Sequence, residues 1–392
     1  MSRAIASFLG ALALVVGAAG AQAQETVKIG VILPYSGQFA DTGVQLDNGI
    51  KLYMQQHGDT VAGKKIEVIR KDTGGIAPEV AKRLAQELVV RDGADILAGF
   101  ALTPNALAAA EVSAQAKKFM VVMNAATAII TTKSPYLART SVTVPQIDET
   151  FGTWAAKSGI KTVYTLVSDY GPGLDAEAAF QRAFEAGGGK VVGSVRTPVA
   201  NPDFSAFVQR AKDANPEAIF IFVPGGTQPA ALDKALASRG ITPKTTKILG
   251  QGEITSEDAL KSLGDDAIGI VTAFHYDYNH QSAMNKDFVA AYSKAFGRNP
   301  DIFSIGGYDG MHLIYAALAK TGGKTDGQAL IDAAKGMSWE SPRGPIAIDP
   351  ETRDIVQNVY IRRVEKSGNG LVNVEFDKVE GVKDPVKARM PK

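Results

Sequence analysis

From residue 27 onward the chain alternates short runs of β-branched and other apolar residues with longer stretches of helical spacing, and this rhythm limits the fold more than any other feature. Residues 27–33 (VKIGVIL) read as a strand that ends at Pro34. Residues 43–57 follow with Leu46, Ile50 and Met54 on one face of a helix. Residues 65–70 (KIEVIR) alternate as a strand does. Pro78 then opens a helix to residue 91, with Val80, Leu84 and Leu88 in register. Strands at 94–98 and 119–123 (FMVVM) enclose a helix at 104–117. Strands this apolar are covered on both faces, the condition of parallel strands joined by crossover helices.

The rhythm restarts near residue 147. Helices are expected at 147–158, 174–186, 203–214, 228–239 and 256–263, and strands at 163–167, 190–195, 218–223 (AIFIFV), 246–249 and 268–274. The second set is not a recognisable repeat of the first. Helices at 285–296, 305–321 and 328–335 come next. Residues 354–365 read as a strand, and the polar remainder as irregular. The expected fold is α/β: two lobes, each a parallel doubly wound sheet, with a cleft between them. Open parallel sheets bind ligands beyond the carboxyl ends of their strands, and clefts between domains are common small-molecule sites. Function therefore belongs to the loops that follow the strands.

Several classes fall away on composition. Lys plus Arg total 42 and Asp plus Glu 41, a net charge of +1, without the basic excess of a nucleic-acid binder. Cysteine is absent, which excludes disulfides, a thiolate nucleophile, cysteine-ligated zinc and iron–sulfur clusters. At the start, Arg3 precedes an apolar stretch over residues 4–20 that is rich in Gly and Ala, and Ala21-Gln22-Ala23 matches a small-residue cleavage site. A spanning helix needs about 20 strongly apolar residues. Residues 1–23 are thus expected to be a signal peptide cut after Ala23, leaving a protein exported to the periplasm with no stable membrane insertion.

No catalytic motif survives inspection. The glycine fingerprint of dinucleotide binding is missing after the first strand. Gly323-Lys324-Thr325 resembles the end of a phosphate loop but follows a helix, so it reads as a helix C-cap and turn. No nucleophile elbow or H-E-x-x-H occurs. His275 and His280, with Asp277 between them, are spaced for neither a strand nor a regular helix, and a solvated loop is the expectation. Neither catalytic residues, metal nor cofactor is expected.

The strand-end loops offer binding chemistry instead. The first runs from Pro34 to Gly43 and holds Tyr35, Phe39 and Thr42, with Gly37 and Gly43 for sharp turning; either ring could equally be core. After the third strand come Phe100, Leu102, Thr103 and Pro104, with Thr103 a natural N-cap. After the fourth come Asn124, Ala125, Ala126 and Thr127. Two helix starts with hydroxyls at adjacent strand ends can hold a carboxylate. In the second half, Tyr170 precedes a helix, and Gly225–Gln228 and Gln251–Glu253 fall at equivalent strand ends.

These motifs, in order, resemble the leucine/isoleucine/valine-binding family of periplasmic solute-binding proteins, the capture subunits of ABC importers. The resemblance spans the mature chain: KIGVILPYSGQFADTG, DTGGIAPEVAKRLAQELV, ILAGFALTPN, VVMNAATA, YLARTS, the DYGPG loop, PDFSAFVQRAK and GGYDGMHLIYAAL. It implies a type I fold with hinge crossings near 143–146, 272–276 and 344–347. Lobe 1 would be residues 24–144 plus 275–345, and lobe 2 residues 145–274 plus 346–392. It implies that Thr103 and Thr127 grip a ligand carboxylate, and that the Ala125 carbonyl and an acid in a G-P-E turn receive an ammonium. Here that turn reads Gly250-Gln251-Gly252-Glu253, so the acid position falls on Gly252 and Glu253 is displaced by one. A buried ammonium without a partner is strongly disfavoured. The sequence also resembles the branch of the family that binds lignin-derived aromatic acids, notably in VVRDGADILAGFALTPNALA and TLVSDYGPGLDAE. Tyr35, Phe39, Phe100, Tyr170, Tyr276 and Phe303 would suit a flat ring, and Gln228 joins them on the second side. The resemblance thus implies a monomer that binds a benzoate- or phenylpropenoate-type acid and delivers it to a membrane permease. A branched-chain amino-acid receptor, a sensor subunit and a periplasmic enzyme on a similar scaffold stay open at this point.

Overall fold

Ile29, Val31 and Leu33 enter one buried cluster while Ile32, between them, enters another, so the first strand is covered on both faces. That strand lies at the centre of the first of two sheets in the computed structural model, which describes residues 24–390. The expected leader and its cleavage motif lie outside the described residues.

The first sheet is built from β1 (Thr26–Leu33), α1 (Ala40–His57), β2 (Thr60–Val61), β3 (Lys64–Asp72), α2 (Pro78–Val90), β4 (Ile96–Gly99), α3 (Thr103–Ala116), β5 (Phe119–Val122) and β6 (Leu137–Arg139). Its strand order is β2-β3-β1-β4-β5-β6, all parallel except the short β2. The second contains α4 (Val144–Lys157), β7 (Thr162–Ser168), α5 (Gly171–Ala186), β8 (Lys190–Thr197), α6 (Ser205–Asp213), β9 (Ala218–Phe222), α7 (Gln228–Ser238), β10 (Lys247–Gln251), α8 (Glu257–Ser262) and β11 (Val271–Phe274). Its parallel part runs β8-β7-β9-β10-β11. Both sheets therefore reverse direction beside their first strand, between β1 and β4 and between β7 and β9. Such switch points leave a crevice at the strand ends.

The chain then returns to the first sheet with α9 (Ala283–Phe296), α10 (Ile302–Lys320) and α11 (Gly327–Ala334), and finishes on the second with β12 (Ser338–Ser341), β13 (Gly344–Ile348), β14 (Ile355–Ser367) and β15 (Gly370–Val382). Helix α10 packs against α1 through small residues. A Cβ on Gly307 would stand 2.0 Å from the Leu46 carbonyl oxygen, so only glycine permits this approach.

Two expectations need correction here. The second sheet is mixed: β14 runs antiparallel to β11, and β13 and β15 pair antiparallel with β14. The polar tail is therefore a strand, not irregular chain. Val372, Val374 and Phe376 alternate with Asn373, Glu375 and Asp377, and from Phe376 to Gly381 this outer strand meets water on both faces. The histidine loop is buried rather than solvated. His275 is 2% exposed, and burial, then the charges of Arg343 and Arg362, hold its pKa well below the ordinary value. His280 meets Glu375 at 2.9 Å. Among the described residues no helix is long and apolar enough to cross a membrane.

Candidate functional site

The carboxyl ends of the two sheets face each other across a small cavity. Each lining group arrives from a strand end. The turn after β1 supplies Phe39 and Thr42; the loop after β4 supplies Ala101, Leu102 and Thr103; the loop after β5 supplies Asn124, Ala125 and Ala126. From the second sheet come Tyr170 and Pro172 after β7, Phe222, Pro224 and Gly225 at the end of β9, and Glu253 after β10. Phe303, in the first turn of α10, closes the wall. That turn is fixed by a capping box between Asp301 and Ser304.

At one end of the cavity the Thr127 hydroxyl donates to Thr103 Oγ1 at 3.0 Å. A Cβ on Gly171, at the start of α5, would stand 3.1 Å from Thr127 Oγ1 and 3.6 Å from Thr103 Cγ2. The starts of α3 and α5 both border this end, and neither has a side-chain cap or an acidic residue in its first turn. Pro104 and Pro172 carry no N–H, and the other first-turn N–H groups are of the kind that can hold an anion. Thr103 is the first residue of α3 and Leu102 its N-cap, not Thr103 as the sequence suggested. The second helix start, at Thr127, is already occupied: the Ala128 N–H donates to Asp175 across the cleft at 2.9 Å.

Behind this end, Arg139 is fully buried against Asp354. It donates to the carbonyls of Ala125 at 3.0 Å and Thr127 at 2.8 Å. The carbonyl that the family resemblance offered to an ammonium thus already has a cationic partner.

At the other end, the Gly225 N–H donates to Glu253 Oε2 at 2.5 Å. Burial raises the Glu253 pKa to about 7; the Gly225 hydrogen bond opposes the rise and the charge of Asp301 adds to it. The short 3₁₀ turn over Gly252–Thr255 brings this side chain into the cavity, so its displacement by one position does not remove it. Gly252 cannot carry an acid. A Cβ there would lie 2.4 Å from Arg362 and 2.5 Å from Phe274.

Five residues singled out from the sequence do not line the cavity; one, Thr127, stands behind Thr103, to which its hydroxyl donates. The Phe100 backbone sits at φ 63°, unusual for a bulky residue, and its ring packs with Ile32, Leu84 and Met120 under α2 and α3. Tyr35 packs on the core of the first sheet, its pKa raised by burial and by the nearby Asp47 charge. Gln228 ties loops of the second sheet by donating to the Val199 carbonyl at 2.6 Å. Tyr276 is fully buried and donates to Asn285 at 2.9 Å. Ala101, Pro172, Phe222 and Pro224 line the cavity without having been singled out. Their signal was position alone: Phe222 ends a strand, and the other three stand two to four residues beyond one.

Two doubly wound sheets that close a cavity between their strand ends define a type I ligand-binding architecture. The chain belongs to the periplasmic binding protein family, whose model matches residues 26–369. A family member of this kind acts in the periplasm. A solute-binding protein of an ABC transporter from Rhodopseudomonas palustris BisB5, solved with 3,4-dihydroxybenzoic acid, is 56% identical, with a TM-score of 0.90 over 92% of this chain and 99% of that one. Another from R. palustris HaA2, solved with p-hydroxybenzoic acid, is 41% identical, with a TM-score of 0.91 over 93% and 100%. A curated relative from Brucella melitensis, called Leu/Ile/Val-binding protein homolog 6, is 44% identical across 96% of this chain and 97% of its own length.

Proposed function

We propose that this chain is the solute-binding subunit of an ABC importer and that it captures a small aromatic carboxylate of benzoate or phenylpropenoate type. The observation that carries the ligand class is the cavity lining: Phe39, Tyr170, Phe222 and Phe303 around the space, a threonine hydroxyl pair and two open helix starts at one end, and no lysine or arginine in the wall. Rings of this kind hold a flat ligand by stacking and edge contacts. Hydroxyls and helix N–H groups hold a carboxylate without a cation. The aromatic acids held by the Rhodopseudomonas relatives support the same class.

In this reading residues 24–144 plus 275–337 form one lobe and residues 145–274 plus 338–392 the other; the boundary expected at 345 moves because β12 and β13 pair into the second sheet. Thr103 holds the carboxylate with its hydroxyl oriented by Thr127, and the four rings hold the arene. A ligand that touches both lobes binds the closed form better, and that difference drives closure. The mature chain, freed of residues 1–23, works as a monomer and docks on a membrane permease. It returns its ligand unchanged and is not an enzyme. An aliphatic amino acid has one observation in its favour, the Glu253 carboxylate in the cavity. Against it stands the Ala125 carbonyl, already bonded to Arg139.

The test is a thermal-shift panel of benzoate, 4-hydroxybenzoate, phenylpropenoic acids, leucine and valine. A ligand at 100 times its Kd stabilises by about 2.7 kcal/mol, a measurable rise in Tm. The aromatic acids are expected to give that rise and to be recovered unchanged. A rise with leucine or valine alone transfers the site to the amino-acid reading, and conversion of a ligand to product makes the protein an enzyme.

A further inference from the structure

The cavity has two chemically distinct ends, and the carboxylate accounts for only one of them. The far end is assembled where the turn after β1 meets the turn after β9. A Cβ on Gly226 would stand 2.4 Å from the Gln38 carbonyl oxygen and 3.5 Å from Phe39 Cδ1. A Cβ on the neighbouring Gly225 would stand 2.7 Å from the Phe303 ring and 3.6 Å from Glu253 Oε2. Phe39, Phe303, Gly225 and Glu253 therefore form one contact group, separate from the group of Thr103, Thr127 and Gly171.

Two polar atoms of the cavity wall are not spent on the protein. Among the described residues, the Glu253 side chain has one hydrogen bond, from the Gly225 N–H to Oε2, which leaves Oε1 for a guest. Thr42 follows Phe39 by three residues, lines the same cavity and is 3% exposed, and its hydroxyl has no partner. A buried hydroxyl without a partner costs free energy and invites a ligand atom. A phenolic hydroxyl gives one hydrogen bond and accepts others. It matches an acceptor, Glu253, and a group in the same wall that can donate, Thr42.

We infer that Glu253, with Thr42, is a specificity subsite for a ring hydroxyl on the side of the ligand remote from its carboxylate, so that the preferred ligands are hydroxylated aromatic acids. The inference rests on the aromatic-carboxylate reading of the cavity and deepens it. An ammonium fits less well, because in an α-amino acid it stands beside the carboxylate, while Glu253 belongs to the other contact group. A phenol at this end is oriented by the carboxylate anchor and reaches the acid along the axis of the ring. Burial of Glu253 also favours a neutral guest group over a charged one that must be stripped of water.

The experiment measures Kd by titration calorimetry for benzoate, 4-hydroxybenzoate and leucine, on the unaltered protein and on Glu253→Leu and Thr42→Val, with circular dichroism as the check of folding. A hydrogen bond to a charged acceptor corresponds to a discrimination of about 10- to 150-fold. The unaltered protein is expected to favour 4-hydroxybenzoate over benzoate by that factor. Glu253→Leu should collapse the ratio of the two constants to within about threefold, and Thr42→Val should reduce it less. If both acids bind and Glu253→Leu leaves the ratio intact, the subsite is wrong and the aromatic reading stands. If neither acid binds and leucine binding is lost in Glu253→Leu, the acid is an ammonium partner and both readings fall. Should Glu253→Leu not fold, Glu253→Gln, which has nearly the same shape but a weaker neutral acceptor, must still lower the ratio.

Discussion

A hydroxyl can donate one hydrogen bond and accept two. Thr103 Oγ1 already accepts from the Thr127 hydroxyl at 3.0 Å and makes a longer contact with the Thr127 N–H at 3.5 Å. Its own proton is what it has left to give, and the cavity lies in front of it. Thr127 does not line the cavity and acts through Thr103, as the residue that turns this proton toward the ligand. The two substitutions are therefore unequal. Thr103→Val keeps the shape and removes the donor, and should weaken binding of a benzoate-type acid by about 10- to 150-fold. Thr127→Val should weaken it less, because the Thr103 donor remains but is no longer held. Calorimetry on both variants, with thermal unfolding to show that they fold, measures the difference; unchanged binding in both would remove the carboxylate from this end. The sequence made these threonines visible because they stand where two apolar strands end. It concealed Phe222 and Pro224 for the same reason, since a residue that closes an apolar run reads as core. Phe100 misled in the opposite direction: its left-handed backbone turns a loop aromatic away from the cavity, and nothing in the neighbouring residue types announces that turn.

At the scale of elements, the site depends on how closely a helix can follow its strand. Both sheets solve this alike. A Cβ on Gly43 in α1 would stand 1.9 Å from the Pro34 carbonyl oxygen, and one on Gly173 in α5 would stand 1.8 Å from that of Ser168. Each glycine lets the first turn of the helix fold back on the strand end, which aims Phe39 and Thr42 from one side and Tyr170 from the other. Backbone cannot yield as a flexible side chain does, so Gly173→Ala should cost about 1–3 kcal/mol or more and weaken ligand binding with it. Gly264 is the control. A Cβ there meets nothing within 4 Å, and Gly264→Ala should stay within about 0.5 kcal/mol. Denaturant unfolding of the two variants measures the contrast; equal stability would mean that α5 can shift without cost. The parallel strands and their helices were legible because burial on both faces writes a continuous apolar run. Strand β15 was not, because half of it meets water on both faces and its alternating valines are diluted by Asn373, Glu375 and Asp377.

Taken as a whole, the molecule shares one apolar cluster between its two sheets and also joins them across the cleft through polar groups, several of them acids. Arg298, between α9 and α10, meets Asp41 of α1 and Asp258 of α8 at 2.6 Å each. The Glu257 N–H donates to Asp301 at 3.1 Å. Burial, and then the charge of Asp301, pushes Glu257 up to about 7, as burial pushes Glu253. Asp301 itself rises to about 6 through burial, against hydrogen bonds from the Glu257 and Ile302 N–H groups. Asp258 goes the other way: burial would raise it, but hydrogen bonds with Asp41, Arg298 and Lys261 hold it low, so it titrates only in strong acid. In the unfolded chain these carboxyls all titrate near 4. Between there and pH 7, Glu253, Glu257 and Asp301 hold protons in the folded protein that the unfolded chain has released. Through these three acids the folded state binds more protons, so they make stability fall as pH rises through this window. His275 and His312, held below the usual imidazole value by burial, pull the other way below about pH 6.5 but are fewer. The unfolding midpoint of the ligand-free protein should thus be higher at about pH 5.5 than at about pH 8, and Glu253→Gln and Glu257→Gln, which cannot ionise, should each flatten the slope. A midpoint that rises with pH, or a slope that both variants leave intact, would mean that these acids are ionised and solvated in the protein, and that the cleft stands open to water when no ligand holds it shut.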